Sequence, residues 1–232
     1  MIQWEGSYCG PAPAPADLLS RWNFDLLVLA VLVVLAILAG RTRPGAAAIV
    51  VLAFAFLSPL CALSSALFSA RVVHHVLLVA VAAPLLALSR PARAPMAVGL
   101  PFLLATAALW LWHVPVAYDA ALGQKPLYWV MQASLFGSAW LFWRAAFSQP
   151  GGSGVVWVFL AYLAMGMLGA ILTLAPEAVY ATHAVTPLLW GLTAQSDQQL
   201  GGLVMWMPAG LPFAVWGGML ARRAWRDMGE AS

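Results

Sequence analysis

Apolar runs close to 20 residues recur along almost the whole chain, and no other feature restricts its fold as much. A bilayer hydrocarbon core about 30 Å thick takes about 20 apolar residues of helix to cross. Backbone N–H and C=O groups inside that core must pair internally, which leaves helices or closed barrels. These runs are long and do not alternate, so the expected fold is all-α, a polytopic membrane protein. Hydropathy places seven spans, at 24–39, 46–63, 72–88, 96–112, 127–147, 155–174 and 200–221. The shorter runs must borrow flanking residues. Only 8% of residues are charged, against about 25% in soluble domains. The organisation expected is an outer Pro/Ala-rich tail (1–22), one bundle of seven transmembrane helices (23–221) and a short basic tail (222–232).

The arginines orient the bundle. Arg41, Arg43, Arg90, Arg93, Arg144, Arg222, Arg223 and Arg226 fall on one side, eight of the 11 basic residues. Arg21, Arg71 and Lys125 fall on the other. Basic loops stay cytoplasmic, so the N-terminus is expected outside and the C-terminus inside. Glu5, Asp17, Asp25, Asp119, Glu177 and Asp197 collect on the outer side, where they would attract cations. Only Asp227 and Glu230 fall inside. The net charge of +3 therefore reflects orientation and gives no reason to expect nucleic acid. The N-terminus lacks a basic segment followed by an apolar one, so no cleavable signal is expected. Cys9 in the tail and Cys61 in an apolar run form no disulfide framework, although a bridge or a thiolate ligand remains open.

Several chemistries lack their residues. The stretch GGSG at 151–154 follows no strand and lacks the phosphate-binding lysine. The last span holds no lysine for a Schiff base. No nucleophile–base pair or hydrolase metal spacing is visible, so an enzyme is not expected.

The histidines are the chemical feature of the chain. The topology brings all four to the outer side: His74 and His75 at the start of the third span, His113 at the end of the fourth, and His183 in the loop before the last. His74 and His75 are about 100° apart on a helix, so one can face the interior and the other a neighbouring helix. Arg71 lies one turn before His75 on the same face. The bland readings are interfacial or helix-terminal histidines for the first three and a solvated loop residue for His183. Met205 and Met207 lie near histidine depth, and thioether with imidazole suits Cu(I), although methionine is also common core filler. Met165 lies deeper. Asp197 is read as the N-cap of the last span, with Gln198 beside it, and Asp119 follows His113 in the outer loop. Pro84 should free the carbonyl of Ala80. Pro208, Gly210 and Pro212 should break the last span. Gly201–Gly202 and Gly217–Gly218 read as close helix packing.

Three segments carry a resemblance: FSARVVHHVLLVAVAAPLLALSRP, LWHVPVAYDAAL and DQQLGGLVMWMPAG. Together they resemble the integral-membrane CtaG family of cytochrome c oxidase assembly factors, over roughly residues 53–221. The resemblance implies seven spans in a bacterial plasma membrane and a part in oxidase maturation through copper. His75 matches the second histidine of the family's HxxxH-like element, His113 the histidine of WHxP, and Asp197 with Gln198 its DQ pair. This chain departs from the pattern with Arg71 for the first histidine, His74 at a usual glutamine, and Tyr128 and Gln132 for a further histidine pair. A guanidinium cannot ligate a metal and repels a cation.

The leading expectation is a Cu(I) site at the outer face. His75 and His113 would bind, with His74 or His183 as a third ligand. Met205, Met207, Asp197 and Asp119 would be accessory, and Arg71 and Gln198 would meet a partner or gate the site. The ion would pass to oxidase subunits or other copper-assembly factors. The rivals are a metal-free scaffold for those partners and a copper or small-solute transporter, the latter suggested by the broken spans.

Overall fold

A computed structural model describes residues 7–230. Glu5 and the start of the expected tail lie outside the described residues. The chain is 78% helical, with no strand among the described residues.

Local signals set most helix starts. α1 (Leu26–Ala39) begins at Asp25, whose carboxylate accepts from the N–H groups of Leu27 and Val28. α2 (Arg43–Leu57) is capped by Thr42. Ser58 caps α3 (Pro59–Ala66), and Pro59 at its first position has no N–H to continue α2, so the pair bends by 51°. α4 (Phe68–Val76), a π-helical stretch (Leu77–Ala82) and α5 (Ala83–Ser89) form one rod. α6 (Gly99–Leu111) and α7 (Pro115–Gly123) meet at 78°, again with a proline opening the second member. α8 (Lys125–Phe147) and α9 (Ser153–Leu174) are long and unbroken. α10 (Ala194–Trp206) and α11 (Gly210–Glu230) follow a long loop with two short 3-10 turns.

Seven spans were expected, the third and the last interrupted by proline, and the structure is less uniform still. Three rods are long and apolar enough to cross a membrane: 68–89, 153–174 and 194–229. The count rises to five if each bent pair is one span. α1 has 14 residues, about 21 Å at 1.5 Å per residue, short of the hydrocarbon thickness. α8 is long enough, but Lys125, Gln132, Ser134, Ser138 and Arg144 make it polar for a span.

The α4–α5 rod and α8 lie at the centre of the bundle. The π-helical stretch and Pro84 leave carbonyls without helical partners, as the proline led us to expect. Indole N–H groups fill them: Trp216 Nε1 donates to Ala80 O at 2.9 Å, and Trp143 Nε1 to Val79 O at 2.7 Å. At the α10–α11 break the Tyr162 hydroxyl donates to Trp206 O at 3.0 Å. α9 and α10 touch backbone to backbone, because a Cβ on Gly202 would lie 2.6 Å from Gly169 O. The second glycine pair has no such role. A Cβ on Gly217 would meet only Val158 at 3.8 Å, and one on Gly218 would meet nothing within 4 Å.

The N-terminal segment is not a loose extended tail. Pro15–Ser20 forms a 3-10 turn, and Tyr8 stacks on Tyr128 with centroids 5.0 Å apart. Trp190 Nε1 donates to Pro13 O at 3.2 Å. Cys9 and Cys61 are joined in a disulfide, with Cα atoms 5.3 Å apart. Of the two alternatives left open by the sequence, the bridge is the one formed, and the thiolate ligand is removed. The strap returns over the α2–α3 bend, a meeting of residues 52 apart that local pattern does not announce.

Candidate functional site

Asp197 builds the site, and from an unexpected position. It lies inside α10, whose own cap is Thr193 in a reciprocal pair with Ser196. The N-cap of α4 is Leu67, which has no side-chain acceptor. Asp197 supplies one across the bundle. It accepts from Phe68 N at 2.6 Å, Ser69 N at 3.1 Å and Ser69 Oγ at 2.5 Å. The expected N-cap is therefore real but belongs to another helix. A carboxylate at a helix N-terminus satisfies orphan donors and complements the dipole. It fixes the helix that carries Arg71, His74 and His75.

Asp119 does the same for His183. Its carboxylate accepts from Ala181 N, Thr182 N and Thr182 Oγ1 at 3.1, 3.0 and 2.6 Å, pinning the turn that ends at His183. Gln198 ties down the same loop, accepting from Val179 N at 2.7 Å and donating to Leu172 O and Glu177 O. The oxygens of all three side chains are thus already engaged with backbone.

The four histidines share one buried region, none more than 4% exposed. His75 faces the interior, its ring centroid 6.0 Å from that of His113. His74 turns toward α2 and meets Phe56 edge-on at 5.0 Å. His183 is a buried loop residue rather than a solvated one, and Phe68 separates it from the pair, 6.2 Å from His183 and 6.4 Å from His113.

Hydrogen bonds sort these rings. His113 Nδ1 donates to Leu109 O at 2.7 Å, which leaves Nε2 as the lone-pair nitrogen. His183 Nε2 accepts from the Tyr118 hydroxyl at 2.8 Å, and its Nδ1 donates to Ala66 O at 3.3 Å. Burial, with Arg71 nearby, pulls the His183 imidazole down to about 4. It is neutral at pH 7 and fully occupied by partners. His113 Nε2 and both ring nitrogens of His74 and His75 have no partner among the described residues. Lone pairs for a ligand therefore lie on His75 and His113, while His74 is turned to the Ala55 backbone and Phe56 of α2.

Arg71 is fully buried among them. Its Nη1 donates to the Tyr128 hydroxyl at 3.5 Å, and its guanidinium carbon lies 5.4 Å from that ring's centroid. Nε and Nη2 have no partner among the described residues, nor does the amide of the buried Gln132. The methionines diverge. Met205 is buried against Gly169, whereas Met207 is 63% exposed. Among the described residues, no three His, Cys, Asp or Glu side chains converge in a metal-holding group.

Sequence reading missed Phe68 and Tyr180. Tyr180 stacks on Phe68 and Tyr118, with centroids 4.6 and 4.4 Å apart, and donates to His113 O at 3.0 Å. Burial raises its phenol well above the ordinary value. The only signal was an aromatic three residues before His183.

The model of one family, described as cytochrome c oxidase caa3 assembly factor (Caa3_CtaG), matches residues 37–101 and 96–227. No curated protein and no solved structure shows significant similarity to the chain.

Proposed function

The chain belongs to the cytochrome c oxidase caa3 assembly factor family, and we propose that it serves oxidase assembly by receiving and passing on Cu(I) at the histidine end. One observation carries this reading. His75 and His113 face each other in a buried setting, with unpartnered ring nitrogens on both. Cu(I) accepts few, soft or borderline ligands, so two imidazoles meet its minimum where Zn(II) wants four. His74, turned toward α2, would join as a third ligand only by rotating its ring. His183 is committed to Tyr118 and Ala66 and acts in support. The work is ligand exchange, not bond-making catalysis.

The membrane arrangement belongs to the same proposal. If α1 and α8 cross together with the three rods and two bent pairs, seven spans result and the termini lie on opposite faces. Eight arginines then mark the cytoplasmic face of a bacterial plasma membrane. A disulfide at the histidine end fits an oxidising extracytoplasmic compartment. Oxidase subunits or copper-assembly factors of that compartment would meet the site there.

Arg71 favours a second reading. A fixed positive charge one turn from His75 opposes a bound cation, and would suit a metal-free scaffold for the same partners. Anaerobic Cu(I) titration of the purified protein separates the two. Copper handling expects a stoichiometric site that disappears in the His75→Ala/His113→Ala variant, together with loss of oxidase copper in cells. No site in the folded wild-type protein, with partner co-purification surviving the double substitution, establishes the scaffold instead.

A further inference from the structure

The opposite end of the bundle carries a second constellation, which the copper reading does not use. Two contiguous cavities of about 700 and 600 Å³ open where the linker 90–96 crosses the ends of α5, α8 and α11. They share the segment 91–95 and Arg144. Arg90 lines only the first, and Arg223 and Arg226 line only the second. Five arginines thus surround one two-lobed concavity, and no acidic residue lines either lobe.

Orientation alone asks only that arginines lie on one side of the membrane. It does not ask them to converge on a concavity or to be held there. Arg90 Nη2 donates to Leu38 O, and Arg223 Nη1 donates to Phe147 O at 3.3 Å. The Arg144 guanidinium rests on Trp140, 5.3 Å from a ring centroid, and its Nε is buried without a partner among the described residues. Guanidinium forks so held match phosphate oxygens at reduced entropic cost. Apolar side chains complete the wall, with Leu88 and Phe147 at the ends of α5 and α8 and Leu220 midway along α11. A free phosphate would leave that wall bare, whereas a lipid fills it with acyl chain.

We propose that this concavity binds an anionic phospholipid with two phosphodiesters, of the cardiolipin class. Each lobe takes one phosphate, and Arg93 and Arg144, common to both lobes, sit between them. Basic pockets between membrane helices on the cytoplasmic side suit such headgroups. The bound lipid relieves the repulsion among the five cations and joins the linker 90–96 to α8 and α11. The proposal rests on the membrane placement given above, not on copper.

The test uses full-length protein stripped of lipid in neutral detergent. Cardiolipin, phosphatidylglycerol, phosphatidylethanolamine or inorganic phosphate is added back. Native mass spectrometry reads stoichiometry, and the thermal midpoint reads apparent affinity. One cardiolipin should bind per chain, about tenfold more tightly than phosphatidylglycerol. Each of Arg93→Gln, Arg223→Gln and Arg226→Gln should weaken it about fivefold, the worth of one basic contact. Arg41→Gln/Arg43→Gln, which changes basic residues outside both cavities, should have no effect. Equal binding of cardiolipin and phosphatidylglycerol overturns the two-phosphate assignment. Saturation of the same shift by inorganic phosphate, or equal weakening in the Arg41/Arg43 control, overturns the lipid site. Should a Gln variant not fold, its Arg→Lys counterpart replaces it and must still weaken binding, since lysine keeps the charge and loses the fork. Cu(I) titration of the same preparations fails or succeeds separately.

Discussion

The two ends of this bundle handle polarity in opposite ways. At the histidine end Arg71, His74, His75, His113, His183, Asp197 and Gln198 are all buried. At the arginine end Arg90, Arg93, Arg222, Arg223 and Arg226 are all exposed. Exposed arginines meet water, and on the proposed membrane placement they meet headgroups as well. Buried polar side chains have no such solvent, and each must be held by protein or await a ligand. Polarity by itself therefore does not mark a site in an apolar bundle. Burial with unfilled hydrogen-bonding capacity does, and among the histidines it separates His75 and His113 from His183.

Removing Asp197 puts that contrast to its strongest test. Asp197→Ala strands the N–H groups of Phe68 and Ser69 and should cost about 4 kcal/mol, from roughly 1–3 per orphaned buried group plus the lost dipole interaction. A thermal midpoint in detergent reads it, and a variant as stable as wild type would break the claim that this carboxylate positions the histidine helix. Acid should act next in size. The His183 imidazole is held down to about 4, below its ordinary 6.5, so the unfolded chain binds the extra proton first. Stability is full above pH 6.5 and falls as pH drops toward 4, by about 3 kcal/mol. Comparing pH-dependent unfolding of wild type and His183→Gln isolates this share, and identical acid slopes would remove it. The smallest effect belongs to the other end. Arg93→Gln or Arg226→Gln in lipid-free detergent should shift stability by no more than about 0.5 kcal/mol, as exposed substitutions do. A large loss there would mean that the arginine end is held together by its own charges, and the contrast would fail.

Much of this was legible in the sequence where the physics is local. Hydropathy marked the helices, Pro84 marked the carbonyl that Trp216 fills, and Gly202 marked a close approach. The histidines were assigned to one end by counting spans, and they do gather there. Asp197 was recognised as a cap but given to the wrong helix, because cap motifs are read along one segment and this one bridges residues 129 apart. The sequence left the Cys9–Cys61 bridge open beside a thiolate ligand, because the two cysteines share no spacing rule that would choose between them. Phe68 looked like one apolar residue among many until the fold set it between His113 and His183.

Composition and hydropathy were enough to establish that the chain is helical and apolar, and its prolines were enough to place the turn before α7 and the break before α11, although not the bend between α2 and α3. These follow from transfer of side chains into hydrocarbon and from hydrogen bonds four residues apart, both readable in a short window. Which histidine faces which, whose helix Asp197 caps, and where the N-terminal strap is tied follow from packing alone. Those outcomes depend on packing between segments that are remote in the chain, and no window along it contains both partners.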